Sequence, residues 1–178
     1  MNGCTPQTLS GIATECGTNV GGIKVVAAQN RANLKGITVT DGKITTIDMA
    51  TGAAEAAVYG FRKQTGSLTS NYQISDDSGS KMVQSDLVLR FAKMETSKRV
   101  SITALANAET VLLVKDQNDK VWLLGYDNGV TIGAGVGQTG TAFTDANEYQ
   151  LTLTDLSREL PYEVADTAVT AFLAGAEF

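Results

Sequence analysis

The residues able to do chemistry in this sequence are few, and a missing one decides most of the matter: none of the 178 residues is histidine. Ser-His-Asp catalysis, Cys-His catalysis and histidine-ligated metal chemistry are thereby removed. Carboxylates remain, and a pair of them can carry glycoside hydrolysis. The adjacent pair is Asp76-Asp77, but it falls in Asp76-Asp77-Ser78-Gly79, a cluster whose residue types make a turn and face water. Asp116-Gln117-Asn118-Asp119 begins like a calcium loop, yet the glycine and the distant glutamate of that loop are missing. Gly135-Val136-Gly137-Gln138-Thr139-Gly140 fits GxGxxG, with Asp155 twenty residues after Gly135. A dinucleotide site needs that motif to open a helix within a βαβ unit, and Thr141 to Leu153 has strand and turn character. We read it as a glycine-rich β-hairpin or loop.

The cysteines are Cys4 and Cys16. They leave two readings open, a disulfide or two reduced thiols in a protein made in a cytosol. Without histidine they do not build a usual structural zinc site. Arg62-Lys63 and Lys98-Arg99 are short basic clusters, read as solvated or as one side of inter-subunit ion pairs. Trp122, in Val121-Trp122-Leu123-Leu124, reads as core. The expectation is a non-enzymatic chain with no catalytic residue, no metal and no cofactor.

The elements around these residues are strands. Hydrophobic residues make up 43% and charged residues 19%, ordinary for a globular domain. Glycine is frequent at 18 and proline nearly absent, with Pro6 and Pro161 alone, which favours strands joined by tight turns. The net charge of −5 offers no overall basic surface for gripping duplex DNA, and suits one past which DNA slides. No apolar run reaches 18 residues, so no membrane span is expected, and residues 1–22 lack the pattern of a secretory signal.

Residues 1–19 read as an irregular arm, residues 20–164 as a β-sandwich domain, and residues 165–178 as a C-terminal tail with a short helix over Ala165 to Ala174. Gly22 to Ala28 is the first strand. Asp41-Gly42 between Ile37–Thr40 and Lys43–Ile47 signals a type I′ hairpin. Residues 55–75 and 81–92 make a long hairpin turning at Asp76 to Gly79, spanning 55–92. Its outer half is too polar to cover a core of its own, and such strands pair with something else. Glu95 to Asn107 is a helix, capped by Thr96 or Ser97, with Val100, Ala104, Leu105 and Ala106 as its apolar face. Thr110–Lys115 and Lys120–Tyr126 form a hairpin, Asp127-Asn128-Gly129 starts another leading into Val130–Ile132, and Tyr149–Thr154 alternates as a half-buried strand.

Several stretches resemble virion structural proteins from phages of gut Bacteroidales, many of them similar to tail tube proteins of tailed bacteriophages. They are residues 16–24 (Cys-Gly-Thr-Asn-Val-Gly-Gly-Ile-Lys), Val121 to Gly125 with Asn128-Gly129, Gly140-Thr141-Ala142, Asp145-Ala146-Asn147 and Tyr149 to Leu153. The resemblance implies a mainly β fold, a sandwich or barrel with one flanking helix and a long β-hairpin. It also implies self-assembly into stacked rings, hexameric in that family, that form a conduit in the virion tail. The partners implied are further copies of the chain, other tail proteins, and DNA passing through without specific binding. The subunit would be made in the host cytoplasm. On this reading Lys63, Thr65, Ser67, Thr69, Lys81 and Ser85 of the hairpin line a lumen or meet a neighbouring subunit. The N-terminal arm or the glycine-rich segment near 133–140 would contact the next ring. Two other roles compete: a capsid decoration, head fibre or tail hub subunit of the same particle, and a soluble β-sandwich binding module. Aromatic content of 6% with a single tryptophan counts against the last.

Overall fold

The computed structural model describes residues 10–13 and 17–178, so both cysteines and most of the expected N-terminal arm lie outside the described residues. The chain is mainly β. In order it forms β1 (Ile23–Asn30), a 3-10 turn (Arg31–Asn33), β2 (Leu34–Thr40), β3 (Lys43–Met49), β4 (Ala57–Gly60), β5 (Ser67–Ser75) and β6 (Ser80–Ala92). Then come α1 (Thr96–Asn107), β7 (Thr110–Asp116), β8 (Val121–Leu124), β9 (Val130–Gln138), β10 (Glu148–Ser157), β11 (Tyr162–Val164) and α2 (Asp166–Leu173). The strands join one sheet in the order β2-β3-β11-β8-β7-β9-β10-β6-β5, with β1 bridging β7 and β4. All pairings are antiparallel except β11 on β3.

The central strands of the sheet are covered on both sides. Val111 and Leu113 of β7 face one core with Ile44, Ile47, Leu123 and Phe172. Leu112 and Val114 face a second core with Leu87, Leu89, Leu151 and Leu153. A strand buried on both faces loses its polar alternation, which is why Val111-Leu-Leu-Val114 reads as an unbroken apolar run. The strands β6 and β10 are covered on one face only, and their burial alternates residue by residue.

Local chemistry accounts for the joints. Asp41 and Gly42 both take positive φ, +51° and +75°, as a type I′ turn demands. Gly125 stands at φ +79°, and a Cβ there would lie 2.7 Å from the Thr110 carbonyl oxygen and 2.9 Å from the Val130 amide nitrogen. Only glycine fits that crossing from β8 to β9.

Several expectations need correction. Residues 57–60 do not belong to the long hairpin: β4 pairs with β1, and the hairpin proper is β5 with β6. The turn at 125–129 does not make a hairpin, because β8 pairs with β7 and β11 while β9 pairs with β10. Both expected helices form, the C-terminal one over Asp166–Leu173. Glu95 occupies the N-cap of α1 with no side-chain cap bond, so neither Thr96 nor Ser97 caps it. Its expected apolar face shrinks to Leu105, with Ile102 half-buried and Val100 exposed. The C-terminal segment is no peripheral tail, since α2 puts Ala168, Val169, Phe172 and Leu173 into the first core.

Candidate functional site

Each sequence feature with chemical potential is placed by the fold. Asp76 and Asp77 sit exposed in the β5–β6 turn. Asp116 is committed to structure: its carboxylate accepts from the Asn118 amide at 2.8 Å, the Lys120 amide at 2.9 Å and Trp122 Nε1 at 3.0 Å. Those bonds close the β7–β8 turn and leave Asp116 a turn residue rather than an ion ligand. The GxGxxG stretch runs along β9 and into the following turn, and no helix opens from it.

Asp155, which the sequence reading passed over except as a spacing, is the most deeply buried carboxylate among the described residues. It is 1% exposed, opposite Ser85 on β6 and Val130 on β9. Its Oδ1 has no hydrogen-bond partner among the described residues. Burial pushes its pKa above the ordinary carboxylate range, partly offset by a backbone N–H from Gly125, with the Asp127 charge adding to the rise. The Ser157 side chain also favours the charged form, but less than burial opposes it. The folded state therefore binds this proton more tightly than the unfolded chain does. Stability falls as pH rises from the ordinary carboxylate pKa, about 4, through the raised folded value, and at neutral pH the buried charge is a cost. Asp155→Asn is expected to raise stability at pH 7 by about 1 kcal/mol, with the gain vanishing below pH ~4. Thermal melts of both proteins across that range check it, and an unchanged or lower midpoint at pH 7 would refute it.

The largest feature is a surface. The strands β9, β10, β6 and β5 form a four-stranded antiparallel sheet at one end of the fold. Its two faces differ. On the covered face lie Val83, Ser85, Leu87, Leu89 and Phe91 of β6, with Leu151, Leu153 and Asp155 of β10. On the other face the cross-strand rows read Ser67–Val88–Thr152–Ala134 and Thr69–Asp86–Thr154–Thr131. Side chains directly opposite one another share a face, so this one carries mostly short uncharged polar groups. Asp86 is held there by Thr154 Oγ1 at 2.7 Å and Gln84 Nε2 at 2.9 Å.

Both margins of this sheet are open. Among the described residues, β5 has no strand partner other than β6 along its whole length. β9 meets β7 at a single pair, Thr110 with Val130, and beyond it has β10 alone among the described residues. The outer end of β5 also leaves Tyr72 and Ile74 about 60% exposed, on the side away from the polar face.

Of the hairpin residues singled out from sequence, Ser67 and Thr69 lie on the polar face. Ser85 does not: it is fully buried on the covered face, sharing a 2.7 Å hydrogen bond with Ser70. The signal was present, because Ser85 keeps step with Val83, Leu87 and Leu89. Lys81 is exposed opposite Ile74, one rung from the turn and on the Tyr72 side. Lys63 and Thr65 precede β5 in the bend at its root, where the Thr65 hydroxyl donates to the Arg62 carbonyl.

A scan of protein-family models, a search of curated proteins and a search of solved structures each give no match for the chain. No helix among the described residues is long and apolar enough to cross a membrane.

Proposed function

We propose that this protein is a self-assembling virion structural subunit, the tail tube protein of a tailed bacteriophage, whose copies join edge to edge into rings that stack around a conduit for DNA. The observation that carries the reading is the four-stranded sheet with two unpaired margins. In it β9 and β6 run one way and β10 and β5 the other. A second copy's β9 laid along β5 therefore continues the antiparallel pattern. The contact is heterologous, since β5 meets β9 and not itself, and such contacts close into rings when the rotation permits. Closure into a barrel leaves no exposed edge, whereas an isolated subunit keeps two.

The polar face then lines the lumen. Its serine, threonine, asparagine and glutamine side chains offer hydrogen bonds, and its charged groups, Asp86 and the Arg90–Glu148 pair, carry both signs, so a phosphate backbone finds no strong electrostatic trap. The glycine-rich β9, assigned from sequence to contacts between rings, serves on this reading as the lateral seam within a ring.

Purified protein, concentrated and imaged by negative stain, is expected to show uniform hollow filaments or rings. A protein that stays monomeric at high concentration, with β5 and β6 ordered alone, would overturn the proposal. Its location on the capsid rather than the tail of a particle would favour the decoration, head fibre or hub role instead.

A further inference from the structure

We infer that the β5–β6 hairpin is an electrostatic coupler between copies stacked end to end, its acidic turn docking on the basic root of the copy in the next layer. The inference rests on the ring-forming reading above and adds the chemistry of the axial contact.

The turn is Asp76-Asp77-Ser78-Gly79, fully exposed between β5 and β6. At the opposite end of the same hairpin lie Arg62 and Lys63, in the bend that enters β5 and also exposed. The thirteen residues of β6 separate the two ends by roughly 40 Å. Charge is screened over about 8 Å at physiological ionic strength, so the two ends of one subunit do not neutralise each other.

Several neighbouring charges at the root are already paired, and the Asp145 carboxylate there accepts from the Thr141 and Ala142 amides. Arg90 lies 3.8 Å from Glu148, and Glu95 takes both Lys93 at 2.5 Å and Lys98 at 3.4 Å. Arg62 and Lys63 have no ion partner among the described residues, and neither have Asp76 and Asp77. Lys81, one rung behind the turn, offsets part of the acidic charge and leaves the tip net negative. Among the described residues, two unpaired anions and two unpaired cations thus stand at opposite ends of one β-ladder. Stacking copies with the same polarity brings each pole against its complement, and stacking them with opposite polarity sets like charges together. The contact so specifies direction as well as adhesion. Phe143, the most exposed large apolar side chain among the described residues, sits at the root end in the loop between β9 and β10, where the same contact covers it.

The test uses the full chain in three forms. Asp76→Lys/Asp77→Lys, and separately Arg62→Glu/Lys63→Glu, are expected to raise the concentration needed for filaments at least about tenfold. Single rings should persist under the microscope and circular dichroism should stay unchanged. The four-fold variant carrying both reversals restores complementarity and is expected to return filaments near the wild-type concentration. Wild-type filaments that weaken with added salt agree with this. If wild type forms filaments and both reversals form them equally well, the axial inference fails while the ring reading stands. If wild type forms neither rings nor filaments, both fall. Loss of short-duplex DNA binding by Arg62→Glu/Lys63→Glu, with filaments unaffected, would reassign the root to nucleic acid and overturn the coupler.

Discussion

Changing Tyr72 and Ile74 together to lysine is expected to abolish lateral assembly while leaving the subunit folded. Both side chains stand on β5, an edge strand with no partner beyond β6 among the described residues, and both are about 60% exposed. They lie past the reach of the second core, so their removal leaves no cavity, and stability should change by no more than about 0.5 kcal/mol. On the assembly the effect is much larger. Lysine on an edge strand opposes addition of a further strand, and a buried interface tyrosine commonly contributes about 2 kcal/mol or more. Two such losses per contact, repeated around a ring, remove rings and filaments together. Light scattering and microscopy read the outcome, beside thermal melts of the same samples. Wild-type rings at wild-type concentration would show that this margin of the sheet is not an interface.

The second large effect concerns α2. Phe172 is fully buried and is among the largest side chains of the first core, packed with Ile44, Ile47 and Leu113. The helix is also tied by its backbone: the Leu173 carbonyl accepts from the Ala56 amide at 3.2 Å, and the Phe172 carbonyl accepts from Gln29 Nε2 at 3.4 Å. Phe172→Ala is expected to cost about 3–5 kcal/mol, a large share of the ~5–15 kcal/mol that holds a domain of this kind. Urea unfolding of the monomeric Tyr72→Lys/Ile74→Lys background measures it without assembly confusing the baseline. A loss below 1 kcal/mol would mean that the C-terminal helix docks loosely and that the core closes without it.

How far these features can be read in advance differs from residue to residue. The Asp41-Gly42 hairpin was legible because type I′ geometry selects for those residues locally. So was the β5–β6 turn. The spacing of Val169, Phe172 and Leu173 announces a helix with one apolar face, but nothing local says that β3 receives it. Ser85 shows the opposite error. Residue type suggested a lumen, while its step with Val83, Leu87 and Leu89 fixed it on the covered face.

What the sequence determined by itself is what depends on neighbours along the chain: strand periodicity, turn chemistry, the absence of histidine, and the polarity of the hairpin's outer half. The tertiary structure alone decided what depends on neighbours in space. It sent β4 to β1 rather than into the hairpin, split β8 from β9 across a glycine crossing, and buried Asp155 beside Ser85. Above all it left β5 and β9 at the two margins of one sheet. An edge is the lack of a hydrogen-bonded neighbour, and no stretch of residues carries that information until every other strand has found its place.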